Sequence, residues 1–108
     1  MNETQFQRQI IELVVAGDYK ISDHALDALL DDDLERADIA DSVKESETLE
    51  NYPDFGKGPA ILLHQFATDG RVVHCVWGIP MGAKKPAVLI TAYIPDPSRW
   101  DSTLKVRN

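Results

Sequence analysis

Three histidines, His24, His64 and His74, are the groups in this chain with an ionisation suited to moving protons near neutral pH, since imidazole titrates between about pH 5 and 8. Arg71, Arg99, Lys84 and Lys85 could supply the complementary chemistry of holding an anion, and Arg suits a phosphate best because its planar fork donates two parallel hydrogen bonds. His74 is the strongest candidate. Pairing across a hairpin puts Gln65 beside it, and the same surface can receive Thr91 and Tyr93 from the last strand. The competing interpretation is a core histidine satisfied by Gln65, because buried polar groups find such partners. His64 faces Cys75 in this register, but a lone cysteine with no cation or helix start beside it has nothing to make it a thiolate, so it reads as a small buried hydrophobe. The three His and one Cys fit no compact ligand spacing, so neither a metal nor another cofactor is expected.

The element that must position these groups is Pro59 to Trp77, PAILLHQFATDGRVVHCVW, two strands meeting at Asp69-Gly70. Asp-Gly between β-rich runs predicts a two-residue type I′ hairpin, because both turn positions need positive φ. That turn would face Thr68 with Arg71, Phe66 with Val73, Gln65 with His74, His64 with Cys75 and Leu62 with Trp77. One sheet surface then carries Leu62, His64, Phe66, Val73, Cys75 and Trp77, and the other Ile61, Leu63, Gln65, Val72, His74 and Val76.

Upstream, Phe6, Ile10, Leu13 and Val14 recur at helical spacing over Glu3 to Ala16, with Gly17 as a stop. Tyr19-Lys20-Ile21 reads as a link, and Ser22 as the N-cap of a helix whose inward stripe is His24, Ala25, Ala28 and Leu29. Asp31-Asp32-Asp33 reads as a solvated connection, Glu35 to Lys44 as a third helix, and Ser46 to Tyr52 as a first, edge strand. The loop Phe55 to Pro59 holds Gly56-Lys57-Gly58, which lacks the spacing of a phosphate-binding P-loop. Ala87 to Ile94 forms the last strand, with Val88, Ile90, Ala92 and Ile94 on one face and Leu89, Thr91 and Tyr93 on the other. Trp100 is expected to fold back onto the core and Lys105 to Asn108 to be a loose tail. Residues 1–108 thus predict one α+β domain, N-terminal helices packed on one face of an antiparallel sheet of about four strands.

The formal charge is −7, which disfavours a polyanionic partner taken as a whole. Its distribution matters more: residues 1–55 hold 15 acids and 4 bases, while residues 56–108 hold 3 acids and 7 bases, so the sheet half is mildly basic. No apolar run approaches the roughly 18 residues needed to span a bilayer, and MNETQFQRQ lacks the regions of a signal peptide, so a cytoplasmic protein with no membrane partner is expected.

Ser22-Asp23-His24-Ala25, Glu50-Asn51-Tyr52-Pro53-Asp54, Gly70-Arg71 leading to His74, and Ile90-Thr91-Ala92-Tyr93-Ile94-Pro95-Asp96-Pro97 with Trp100 occur in that order. In this the chain resembles a bacterial family of small proteins known as domain of unknown function 4258, within the wider group of RelE/ParE-like toxins. The departure is Asp31 to Asp33, where such proteins tend to have an Arg/Gly-containing turn. The resemblance implies a RelE-like fold related to small metal-independent ribonucleases, with an antitoxin-like protein and RNA as partners. On that basis His74 and His24 are the expected proton-transfer groups, Arg71 the phosphate ligand, Thr91 and Tyr93 the orienting groups, and Gln65, Lys84, Lys85 and Arg99 the substrate-binding ones. A non-catalytic protein-interaction module on the same fold is the alternative, so whether the chain is an enzyme stays open at this point.

Overall fold

The computed structural model describes residues 3–108, with side chains described from Gln5 onward. Helix α1, Glu3–Val15, buries Phe6, Ile10 and Val14. It ends in a Schellman turn: Gly17, at φ 81°, sends its N–H to the Val14 carbonyl at 3.0 Å, and Asp18 sends its own to Leu13 at 2.9 Å. Tyr19–Ile21, expected to be a link, is instead strand β1. Helix α2, Asp23–Asp31, starts as expected at Ser22, whose Oγ accepts the Ala25 N–H at 3.0 Å. The third helix is shorter than its sequence pattern suggests: α3 covers Arg36–Ala40, and a separate 3₁₀ turn covers Val43–Glu45.

Strands β2, Glu47–Tyr52, β3, Ala60–Phe66, β4, Val72–Gly78, and β5, Ala87–Tyr93, complete a sheet ordered β1-β5-β4-β3-β2. It has five strands rather than four and is mixed, because β1 runs parallel to β5, pairing Tyr19 with Ala87. Helix α2 takes over where β1 stops. Ser22 Oγ donates to the Ile90 carbonyl at 3.0 Å, and Asp32 Oδ2 accepts the Ile94 N–H at 3.1 Å, which ties both ends of the helix to β5.

The central hairpin is displaced by one residue from the expected pairing. His64 pairs with His74, Gln65 with Val73 and Leu62 with Val76. The Ala67 N–H donates to the Arg71 carbonyl at 2.8 Å and the Gly70 N–H to Ala67 at 2.9 Å, which makes a three-residue loop with Gly70 at φ 91°. Asp-Gly serves a type I turn closed by a left-handed glycine as readily as a type I′ turn, and the longer loop shifts the register. A one-residue shift exchanges faces. Gln65 is therefore on the surface opposite His74, and Val73, Cys75 and Trp77 join Ile61, Leu63 and Gln65 under the helices.

On β5 the expected alternation is broken by a bulge: Val76 pairs with Thr91, yet Trp77 pairs with Leu89. Leu89 and Ala92 consequently share the helix-side core, while Thr91 and Tyr93 share the far surface with Val76 and His74. At the centre of the core Gln65 Nε2 donates to the Ile39 carbonyl at 2.7 Å and to Ser42 Oγ at 2.9 Å, and its Oε1 accepts the Trp77 indole N–H at 2.9 Å. Among the described residues no helix is long and apolar enough to cross a membrane.

Candidate functional site

The sheet face turned away from the helices carries Glu47, Glu50 and Tyr52 from β2, His64 from β3, His74 from β4, and Thr91 and Tyr93 from β5. It is not bare. The segment 95–108, expected to end in a loose tail, crosses it as a strap. Pro95 and Trp100 are buried, and the Trp100 ring meets the His74 ring edge-on at 4.4 Å between centroids. The strap's own turn is built on one carboxylate oxygen: Asp101 Oδ1 accepts the Thr103 hydroxyl at 2.6 Å and the Thr103 N–H at 3.1 Å, with Lys105 and Val106 N–H groups at 3.3 and 3.4 Å. These donors, the Thr103 hydroxyl foremost, hold the Asp101 carboxyl below its usual range.

Three contacts pin the strap. Lys105 Nζ meets Glu47 Oε2 at 2.8 Å, and Arg107 grips Glu50 with both arms, Nε to Oε2 at 2.6 Å and an Nη2 to Oε1 at 3.2 Å. The guanidinium also lies 4.6 Å from the centre of the Trp100 ring. Third, His74 Nε2 lies 2.7 Å from the Leu104 carbonyl. A carbonyl only accepts, so Nε2 carries the hydrogen, and Nδ1 presents its lone pair to the Tyr93 hydroxyl at a long 3.4 Å.

His74 is 0% exposed, and both of its ring nitrogens face partners within the protein. Burial is the largest influence on its ring and lowers its proton affinity, with Arg107 and His64 acting in the same sense. The Glu50 carboxyl is held low first by its bond from Arg107, and the Arg107 guanidinium is raised in return. Tyr52, whose hydroxyl donates to Glu50, is pushed up to about 12 by burial and by that carboxylate. Glu50, Tyr52, Tyr93 and Arg107 thus form a half-exposed polar cluster with His74 behind it. Its parts are those of acid-base chemistry on an anion: an ionised carboxylate, two phenols, a planar cation and an imidazole.

The buried imidazoles carry a stability prediction. His74 and His64 both have lowered proton affinity, burial being the first cause for each. As pH falls through their ordinary value of about 6.5 the unfolded chain takes up protons that the folded chain refuses, so folding stability declines from about pH 6.5 downward. Glu47 and Glu50, held low by Lys105 and Arg107, add a further loss only once the pH falls below about 4.3. Urea midpoints should drop between pH 7.5 and 5; a flat profile over that interval would contradict the burial of His74.

The other expected site residues are scattered. Arg71 donates from Nε to Asp69 at 2.8 Å and from its two terminal nitrogens to the Asp32 and Asp33 carbonyls at 2.8 and 3.0 Å. That contact caps the end of α2 and ties the backbone of Asp32 and Asp33, while Asp31 and Asp33 stay exposed as expected of a solvated acidic run. His24, at the start of α2, lines a separate cleft. About 12 Å of helix lies between it and the corner that Arg71 holds. Gln65 is in the core on the opposite face. Lys84 and Lys85 precede β5, with roughly 20 Å of strand between Ala87 and Tyr93, and Lys85 is within 3.9 Å of Asp18. Arg99 is exposed on the strap. Cys75 is fully buried, which raises its thiol well above the ordinary value.

Glu50 and Arg107 escaped the sequence reasoning, although a signal was present. Lys105 and Arg107 alternate as residues on one face of an extended segment do, following a Trp and an Asp-x-Thr turn. Among the described residues no group of three or more His, Cys, Asp and Glu is placed to hold a metal ion.

The sequence pattern of the family described as Domain of unknown function (DUF4258) matches residues 21–94. The matched span takes in Glu50, Tyr52, His74 and Tyr93 and stops short of Trp100 and Arg107. No curated protein matches the chain, and no solved structure does.

Proposed function

We propose, from the premise that the chain belongs to the family of domain of unknown function 4258, that it is a RelE/ParE-like, toxin-type ribonuclease working without a metal on the strapped face of its sheet. The observation that supports this best is the convergence of Glu50, Tyr93 and Arg107 in front of His74. Arg107 binds the scissile phosphate and takes up charge as the phosphorane forms. A phosphate arriving there competes with Glu50 for the guanidinium fork, and the released carboxylate gains proton affinity. Glu50 then removes the 2′-hydroxyl proton as the 2′-oxygen bonds to phosphorus. The bond from phosphorus to the 5′-oxygen breaks. The Tyr93 hydroxyl, held in place beside the His74 Nδ1 lone pair, gives its proton to that leaving oxygen, so the products are a 2′,3′-cyclic phosphate and a 5′-hydroxyl, with Glu50 protonated and Tyr93 a phenolate. Exchange with water resets both.

End-labelled single-stranded RNA incubated with purified protein should yield cyclic-phosphate ends, and His74→Ala should slow their appearance by roughly 10²-fold, the usual worth of general acid-base help. A trace activity that His74→Ala leaves unchanged would be contamination and would remove the enzyme from consideration.

The closure of the strap over His74 favours a second reading, a non-catalytic module that holds a protein such as an antitoxin segment. Strand β2 lies at the sheet edge, where unpaired backbone groups can add another strand. A tightly co-purifying partner, with no RNA cleaved after its removal, would favour this module over the ribonuclease.

A further inference from the structure

We infer that the cleft beside the start of α2 is a binding site for a small organic carboxylate with an apolar body, independent of the strapped face. The cleft encloses about 430 Å³, at the low end of the range of small-ligand pockets. Its walls are Val88 and Ile90 on one side and Pro59, Ile79 and Pro80 on the other, with Phe55 at the rim. Its polar groups are few and of one kind: Lys57, His24 and the Ser22 hydroxyl line it, whereas the neighbouring acids Asp23 and Asp54 do not. Ser22 is already committed to Ala25 and Ile90. Lys57 and His24 are both exposed, and among the described residues neither side chain has a partner, so both remain available to an incoming anion.

The pocket is built in advance rather than left over between loops. Residues 57–59 and 79–81 are clamped by the Met81 N–H on the Lys57 carbonyl at 2.9 Å and the Ile79 N–H on the Pro59 carbonyl at 3.2 Å. Two glycines allow that approach. A side chain at Gly58, φ 135°, would run into the Ile79 carbonyl and come within 2.7 Å of the Met81 nitrogen. One at Gly78 would lie 2.9 Å from Ile90 Cδ1 and 3.0 Å from the Pro59 carbonyl. Fixed apolar walls with a cation at the mouth select a ligand that is greasy at one end and anionic at the other, because an ammonium point charge rewards the anion while the walls reward only area.

Octanoate titrated into the ¹⁵N-labelled protein should give saturable amide shifts at Gly58, Gly78 and Ile90, with a Kd of about 10⁻⁴ M. 1-Octanol, with the same body and no charge, should bind roughly tenfold or more weaker, the worth of one charge-assisted contact. Acetate should not saturate the same shifts. Lys57→Ala, a change on an exposed loop, should weaken octanoate to the level of 1-octanol and leave 1-octanol unchanged. The proposal is overturned if octanoate gives no saturable shift at millimolar concentration, if 1-octanol binds equally well, or if Lys57→Ala has no effect on octanoate. None of these outcomes depends on whether RNA is cleaved.

Discussion

Replacing Arg107 by alanine should lower RNA cleavage by about 10²- to 10³-fold, the largest effect expected of any substitution on the strapped face. The guanidinium bonds to Glu50 and acts on Tyr93, so it is placed to meet a developing phosphorane with its planar fork. Losing it removes transition-state stabilisation and also leaves Glu50 without its cation, with only the Tyr52 hydroxyl donating to it among the described residues. Arg107→Lys keeps the charge but not the fork, so it should recover only part of the rate. The strap complicates the experiment, because the same guanidinium rests on Trp100. Near-ultraviolet dichroism of Trp100 separates the two effects. A variant with a native Trp100 signal and the full wild-type rate would take Arg107 out of the chemistry.

Gln65→Leu should destabilise the protein by about 3 kcal/mol, a melting temperature roughly 10–20 °C lower, although the two side chains are nearly the same size. The amide answers the Trp77 indole, the Ile39 carbonyl and Ser42, all in the dry core. Leucine would leave the indole N–H buried with no acceptor, at a cost of about 1–3 kcal/mol by itself. The pair should also be coupled: Trp77→Phe should cost less in the Gln65→Leu background than alone, because the indole N–H is already orphaned there. Thermal or urea unfolding measures both. A loss below about 0.5 kcal/mol, the scale of an exposed surface change, would mean that Gln65 sits on the same face as His74 after all.

That last alternative was the sequence expectation, and its failure has a simple physical origin. Strands β2 to β5, the Ser22 cap and the Gly17 stop follow from alternation, side-chain capping and positive-φ glycine, all local effects. Asp69-Gly70 marks a turn without stating its length, and one extra residue between Ala67 and Arg71 sent Gln65 and His74 to opposite faces. Strand β1 was missed because three residues with no alternation resemble any linker, and its pairing partner lies far along the chain. His74 and Tyr93 could be named from sequence, and so could their neighbourhood on adjacent strands. Arg107 left only the weak signal of its alternation with Lys105, because a charged C-terminal segment resembles a solvated tail until Glu47 and Glu50 are seen to lie opposite it.

The parallel pairing of Tyr19 with Ala87 sets the kinetics of assembly. Every other strand contact can grow outward from the central hairpin, but this one must close a loop of most of the chain before it returns any free energy. Until then β5 has one naked edge, rich in Val, Leu and Ile, and offers it to any neighbouring molecule in the same condition. Refolding should therefore be limited by capture of the N-terminal segment, and at high concentration should lose yield to association through β5. A separate peptide spanning α1 and β1, added during refolding, would compete for that edge.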